Sequence, residues 1–278
     1  MAEARTIEVR VNEQLLRLSE QATLYAIRDT IKPAADLIIL NGFPVALDAT
    51  VTTGDEIVLI RRGEVPSPNE LETLLVARHG PGVHEKLKGS TVGIAGCGGL
   101  GSNVAILLGR SGIGKLILVD FDVVEPSNLN RQQFFVDQIG LPKVEALAQN
   151  LGRINPYVRL ALHPIRLTKS AVAGLFNECA VVAECFDDPA AKAELTFAMR
   201  RELPSIPLVA VSGIAGYGPA SDITSRRVLG NHFLVGDGVS AAMPGRGLLA
   251  PRVAVAAGHQ ANLITRLILG AISENEGQ

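Results

Sequence analysis

The chain has 278 residues, 47% of them hydrophobic and 4% aromatic, with no Trp and a formal net charge of −2. That length allows one large core, or a core with a small satellite domain, and the near-neutral charge excludes a general nucleic-acid or membrane-surface binder. The 3 cysteines, Cys97, Cys179 and Cys185, form no CxxC pair, which excludes a disulfide framework and a four-cysteine zinc site.

The first residues, MAEARTIEVRVNE, are charged and lack the apolar centre of a signal peptide. No run of about 18 apolar residues follows. The expectation is a soluble, reduced, cytoplasmic chain. Residues 7–11 alternate apolar and polar, Asn12-Glu13 can turn, and residues 15–18 return as a second strand. A helix is predicted over residues 22–31, stopped by Pro33. An apolar strand at residues 37–40 ends at the turn signal Asn41-Gly42-Phe43-Pro44, and residues 56–60 form a last strand. The order ββαββ predicts a β-grasp, or ubiquitin-like, domain. Residues 61–69 (RRGEVPSPN) carry Gly and two Pro and read as a linker. The expected division is a small domain at 1–63, a linker at 64–78 and a second domain at 79–278.

From Ser90 the period changes. Short apolar runs at 92–95, 116–119, 158–162, 181–183 and 208–211 alternate with helix-length segments at 100–112, 143–154 and 190–201. This alternation predicts an α/β fold, a doubly wound, mainly parallel Rossmann-like sheet fused to the N-terminal β-grasp domain. Residues 223–227 and 232–235 can pair as a hairpin, and residues 252–269 form an apolar last helix.

Gly96, Gly98 and Gly101 satisfy G-x-G-x-x-G between a predicted strand and a predicted helix, with Gly99 inside the motif. Glycines let the backbone turn tightly and bring N–H groups to phosphate oxygens at the helix N-terminus. Asp120, at the end of the next strand, is placed to accept hydrogen bonds from a ribose. These features alone define a nucleotide site whose default occupant is NAD. Residues 109–115 nearly match a P-loop, but Leu116 stands where a Mg²⁺-binding Ser or Thr is required, so the match is a coincidence.

The run after Asp120 narrows the reading. Residues 120–132 (DFDVVEPSNLNRQ) resemble the signature of the ThiF/MoeB family, whose fold is shared with ubiquitin-activating enzymes. Residues 96–102, Pro142-Lys143 and residues 184–188 (ECFDD) match as well, and residues 82–87 resemble a ThiF-like branch. The resemblance implies ATP-dependent adenylation of the C-terminal glycine carboxylate of a ThiS-type sulfur-carrier protein, for thiamine thiazole synthesis. It implies that Asp120 holds the ribose and that the glycine loop, Ser127, Asn128, Arg131 and Lys143 serve the phosphates. It further implies that Asp187 binds Mg²⁺ and that Arg78 reaches a neighbouring subunit's ATP in a homodimer. Such a reaction calls for fixed cations, because a carboxylate must approach an anionic triphosphate.

Adenylation of another carrier, or of a modified tRNA nucleoside carboxylate, stays open, as does an NAD-dependent oxidoreductase. Without CxxC pairs, no zinc is expected, and the absence of cysteine after Cys185 leaves no sulfur relay on that stretch. Cys97, Cys179, Cys185 and His259 read as buried structural residues, and Asp188 stands where the family more often has asparagine. The glycine-rich loop 236–251 is expected either to line a channel for the carrier's tail, with Arg246 near it, or to be a surface loop. The N-terminal domain resembles ThiS itself, but Gly63 is followed by Glu64, so the fused copy ends in no free carboxylate.

Overall fold

A computed structural model describes residues 5–79 and 81–272. The chain divides into two compact units, Met1–Pro81 and Gly82–Gln278. In the first, strands β1 (Thr6–Val11), β2 (Gln14–Ser19), β3 (Leu37–Leu40), β4 (Phe43–Val45) and β5 (Glu56–Ile60) form a sheet of order β2-β1-β5-β3-β4. Helix α1 (Leu24–Ile31) is capped by the Thr23 hydroxyl, which accepts the Ala26 N–H at 3.3 Å. Leu24 and Ile27, one helical turn apart, join Ile7, Val9, Val11 and Ile57 in a core of their own. Both two-residue hairpin loops use positive φ, at Asn12 (45°) and Glu13 (67°), and at Asn41 (51°) and Gly42 (86°). The second turn is only Asn41-Gly42, so Phe43 and Pro44, expected in the turn, are strand residues of β4.

The expected linker, residues 64–78, holds helix α2 (Pro68–His79). The cause is a capping box: the Ser67 hydroxyl accepts the Glu70 N–H at 3.3 Å, and the Glu70 carboxylate accepts the Ser67 N–H at 3.4 Å. Pro68 is tolerated at the first helical position because no N–H is needed there.

Helix α3 (Pro81–Lys88) starts at the last residue of the first unit, and the second unit then alternates β6 (Thr91–Ala95), α4 (Gly99–Arg110), β7 (Lys115–Val119), α5 (Lys143–Ile154), β8 (Arg159–His163), α6 (Lys169–Phe176), β9 (Val181–Glu184), α7 (Pro189–Glu202) and β10 (Leu208–Val211). The hairpin β11 (Thr224–Leu229) and β12 (His232–Gly236) and the helix α8 (Ala250–Leu269) complete it. The sheet order is β11-β12-β10-β9-β6-β7-β8, parallel throughout except for the β11–β12 pair at the edge. The central strands β6, β7, β9 and β10 are mostly apolar on both faces because both faces are covered, whereas the edge strands β8 and β11 are partly to largely exposed. Thus Leu116 and Leu118 of β7 enter one core with Leu108, Leu147 and Ile264, while Ile117 and Val119 enter another with Phe176, Leu195 and Met199.

The chain runs from β6 outward through β7 to β8, then returns to β9 on the other side of β6. Connections leaving β6 and β9 therefore diverge, which opens a crevice at the carboxyl ends of the strands.

Candidate active site

That crevice is a cavity of about 740 Å³, within the ~300–1,000 Å³ usual for small-molecule sites. Gly96, Gly98, Gly99, Asp120, Arg131, Lys143 and Asp187 all line it. Gly96 has φ of 93° and its N–H donates to the Val119 carbonyl at 2.8 Å, so the chain turns sharply off the strand. Gly101 is not on the wall. A Cβ there would lie 1.8 Å from the Gly96 carbonyl oxygen, so this glycine is required for α4 to pack against the loop.

Asp120 is buried at the end of β7. Its carboxylate accepts the Cys97 N–H at 2.6 Å and the Asp122 N–H at 2.8 Å. Burial pushes its pKa up, against the pull of those two hydrogen bonds and of the Lys143 charge. Lys143 opens α5 and is also buried, with Nζ donating to Asp122 Oδ2 at 2.9 Å. It is a desolvated cation aimed by a carboxylate, not a solvated surface lysine. Arg131 lies along Gly99, its Nη1 donating to Asn130 Oδ1 at 2.8 Å and to the Ser127 carbonyl at 3.3 Å.

Ser127 and Asn128 do not line the cavity. They shape the short 3-10 turn Pro126–Asn128, where Asn128 Oδ1 accepts the Glu125 N–H at 3.1 Å and Asn128 Nδ2 donates to Ser127 Oγ at 3.4 Å. The turn delivers Arg131 to the wall. Asp187 is exposed on the wall, while Asp188 caps α7 by accepting the Ala190 and Ala191 N–H groups at 3.2 and 3.1 Å. Arg78 lies exposed in the last turn of α2, in the first unit.

Other residues of the wall carry no role in the sequence reading. Gln132 is buried there, and its Oε1 has no hydrogen-bond partner among the described residues. Lys192 also lines the cavity, and behind it Glu184, 1% exposed and not on this wall, binds Lys192 Nζ through both oxygens at 2.9 Å. Burial raises the Glu184 pKa, against the opposing lysine charge. Arg166 stacks on Phe121 at 3.9 Å, where both line the cavity. The Asp-x-Asp of residues 120–122 was the one local signal for the Asp122–Lys143 pair. The others depend on contacts distant in sequence.

Cys97 is fully buried, and burial drives its thiol well above its ordinary pKa, so the adjacent helix N-terminus does not activate it. Burial likewise raises Cys185 and pushes Cys179 up to about 12. His259 is half-buried, with Nδ1 3.3 Å from Ser225 Oγ. From the glycine-rich loop, Ser240, Ala241, Ala242 and Leu248 line the cavity, and Arg246 Nη2 donates to Ser240 Oγ at 3.0 Å. Among the described residues no cluster of three or more His, Cys, Asp or Glu could hold a metal ion. No helix among them is long and apolar enough to cross a membrane.

Residues 7–63 match the ThiS-like ubiquitin family. The ubiquitin-like modifier-activating enzyme 5 of Drosophila persimilis is 52% identical over 85 residues, which are 31% of this chain and 22% of that protein. The Aedes aegypti enzyme of the same name is 47% identical over 85 residues, 31% of this chain and 21% of that one. The chain thus spans about a fifth of the length of these relatives. Among solved structures, E. coli tRNA N6-threonylcarbamoyladenosine dehydratase, TcdA, in complex with ATP superposes with a TM-score of 0.66 at 23% identity, covering 75% of this chain and 98% of that one. E. coli MccB with ATP gives 0.57 at 22% identity, covering 77% and 67%. Both show the fold. Residues 72–278, most of the chain and all of the cavity wall, match the ThiF family, and to that family this protein belongs.

Proposed function

We propose that this chain is an ATP-dependent adenylyltransferase acting on the C-terminal glycine carboxylate of a separate ThiS-type sulfur carrier, as a step in thiamine thiazole synthesis. The observation that carries this reading is the meeting of the glycine loop, Asp120, Arg131, Lys143 and Asp187 on one cavity wall from four separate stretches of chain. A carboxylate oxygen attacks the α-phosphorus, the bond from that phosphorus to the bridging oxygen breaks, and pyrophosphate leaves as the acyl-adenylate forms. Asp120 accepts from the ribose hydroxyls. Arg131 and Lys143 face the phosphates and offset the charge that grows on the leaving group. No general base is needed, because a terminal carboxylate with a pKa of about 3.5 is already ionised.

Mg²⁺ binds well to one or two carboxylates together with substrate phosphates. The Asp187 carboxylate fits that habit, being exposed on the wall with no hydrogen bond or ion pair among the described residues. Asp187 would hold the ion, whose chemistry is to neutralise phosphate charge. A homodimer in which Arg78 serves the partner's nucleotide belongs to the same proposal.

A protein carrier is favoured by the ThiS-like segment and by the local likeness to ubiquitin-like modifier-activating enzymes. A tRNA nucleoside carboxylate, suggested by the likeness to TcdA, sits poorly with a net charge of −2. Membership of the ThiF family lends nothing to hydride transfer. Carrier-dependent exchange of labelled pyrophosphate into ATP, run with a panel of purified carriers ending in Gly-Gly, tests the reading. A rise in melting temperature with ATP and Mg²⁺ but not with NAD is expected alongside it. Stabilisation by NAD and none by ATP would reverse the conclusion.

A further inference from the structure

Asp120 follows β7, whereas Ser240 follows β12, four strands along in the order β7-β6-β9-β10-β12. At ~4.8 Å per strand these loops are about 19 Å apart. The cavity therefore has a nucleotide end and a far end. The far end is walled by Ser212, Gly213 and Ala215 after β10 and by Ser240, Ala241 and Ala242 after β12.

One buried guanidinium ties these two loops together. Arg252, in the first turn of α8 with its side chain 4% exposed, donates from Nη1 to the carbonyls of Gly218 at 2.7 Å and Pro219 at 2.8 Å. Its Nη2 donates to Asp237 Oδ2 at 2.7 Å. Asp237 in turn accepts the N–H groups of Val239 and Ser240, both at 2.8 Å, and the Ser240 hydroxyl. The fit is close: a Cβ at Gly213 would lie 2.1 Å from Asp237 Oδ1. Gly216 adds a cross-tie, its N–H donating to the Gly247 carbonyl at 2.8 Å. A buried ion pair is a poor source of stability compared with apolar packing. Its placement behind a cavity wall is better accounted for by the geometry it imposes.

We propose that Arg252 is a positioning residue for the acyl half of the site. Through Asp237 it fixes Ser240 and the small-residue wall against which an incoming carboxylate is aligned with the α-phosphorus. The proposal rests on the adenylation reading. A planar guanidinium fork serves three fixed acceptors at once, which the point charge of a lysine does not.

Arg252→Lys and Asp237→Asn test this in the full chain. The first measurement is amide hydrogen exchange, read by mass spectrometry without any reaction. Peptides covering residues 237–242 should exchange at least 10-fold faster in both variants, while those covering residues 96–101 stay unchanged. The second is pyrophosphate exchange with a purified ThiS-type carrier ending in Gly-Gly. The carrier's kcat/KM should fall at least 10-fold, with the KM for ATP within twofold of wild type. If Arg252→Lys does not fold, the near-isosteric Asp237→Asn carries both comparisons. Unchanged exchange at 237–242, unchanged carrier kinetics, or an equal loss toward ATP and carrier overturns the positioning role. A wild-type enzyme that exchanges pyrophosphate with no carrier overturns the adenylation reading and the acyl role with it, while amide exchange still decides whether Arg252 ties the loops.

Discussion

Lys143 Nζ lies 2.9 Å from Asp122 Oδ2, with the lysine side chain 8% exposed and the aspartate 47%. Water still reaches Asp122, so a phosphate oxygen can share the ammonium without stranding a buried carboxylate. The same asymmetry limits the structural cost of removing the lysine. Lys143→Met should change stability by no more than about 1 kcal/mol, since its partner is half-solvated. Loss of a cation aimed at transition-state charge costs about 100- to 1000-fold in rate. Pyrophosphate exchange and a urea titration on the same preparation separate the two effects. Near-normal exchange in folded Lys143→Met would remove Lys143 from the phosphate site.

Two glycines of one motif should respond in opposite ways to a methyl group. At Gly101 a Cβ would meet the Gly96 carbonyl at 1.8 Å, whereas at Gly99 it would make ordinary van der Waals contact with the Arg131 and Val253 side chains, both at 3.5 Å. Overpacking of this kind costs about 1–3 kcal/mol or more when backbone must move. Gly101→Ala should therefore lower the urea midpoint strongly. Gly99→Ala should keep the midpoint close to wild type and weaken ATP binding, because its methyl enters the cavity wall. Equal midpoints for the two variants would contradict the packing described for α4.

The central strands β6, β7, β9 and β10 were legible because burial on both faces writes them as short apolar runs, and α5 coincides with its expected bounds, Lys143–Ile154. Helix α2 was not, because Pro66, Pro68 and Gly63 outweighed the Ser67–Glu70 capping box that starts it. The short α6 carried too little pattern to stand out. Around the site, contiguous residues were readable as a signature, and Asp120, Arg131 and Lys143 of that signature line the cavity. Ser127 and Asn128 belong to the same signature, yet they shape the turn behind the wall. Arg252–Asp237 and Glu184–Lys192 were illegible for a plain reason. Each pair exists only where one element's end meets another, and neither partner is unusual by itself.

Acid should loosen the far wall of the cavity selectively. Burial alone would raise the Asp237 pKa, but the Ser240 hydroxyl, the Ser240 and Val239 N–H groups and the Arg252 charge bring it from 3.8 down to about 2. The unfolded chain thus takes up this proton first as pH falls. Stability from Asp237 is full above about pH 4 and is lost as pH falls toward about 2. Asp120 and Glu184, raised by burial, have the opposite sign and lose stability as pH rises through their transitions. The difference in unfolding free energy between wild type and Asp237→Asn isolates the first effect. It should be largest above about pH 4 and shrink toward pH 2; a difference that stays constant with pH would refute the assignment.

The fused ThiS-like domain should not be a substrate of its own chain. Gly63 is joined by a peptide bond to Glu64, so it has no carboxylate to attack phosphorus. The exit strand is also pinned. Lys32 Nζ lies 3.1 Å from Glu64 Oε2 and 2.6 Å from Glu70 Oε1, and the Glu64 N–H donates to the Arg61 carbonyl at 3.3 Å. The hydrogen bond to Glu70 is the main cause that raises the Lys32 pKa, and the lysine stays charged at neutral pH. A carrier tail must be extended and free to enter an active site, whereas here the residues after Gly63 are folded back into the first unit and continue into α2. Incubation with ATP and Mg²⁺, followed by intact-mass and peptide mass spectrometry, should show no AMP and no sulfur on Gly63. A separate carrier added to the same mixture should acquire the adenylate. Detection of AMP on a processed fragment ending at Gly63 would show instead that proteolysis turns the fused domain into a carrier, and that Lys32 guards a cleavable joint.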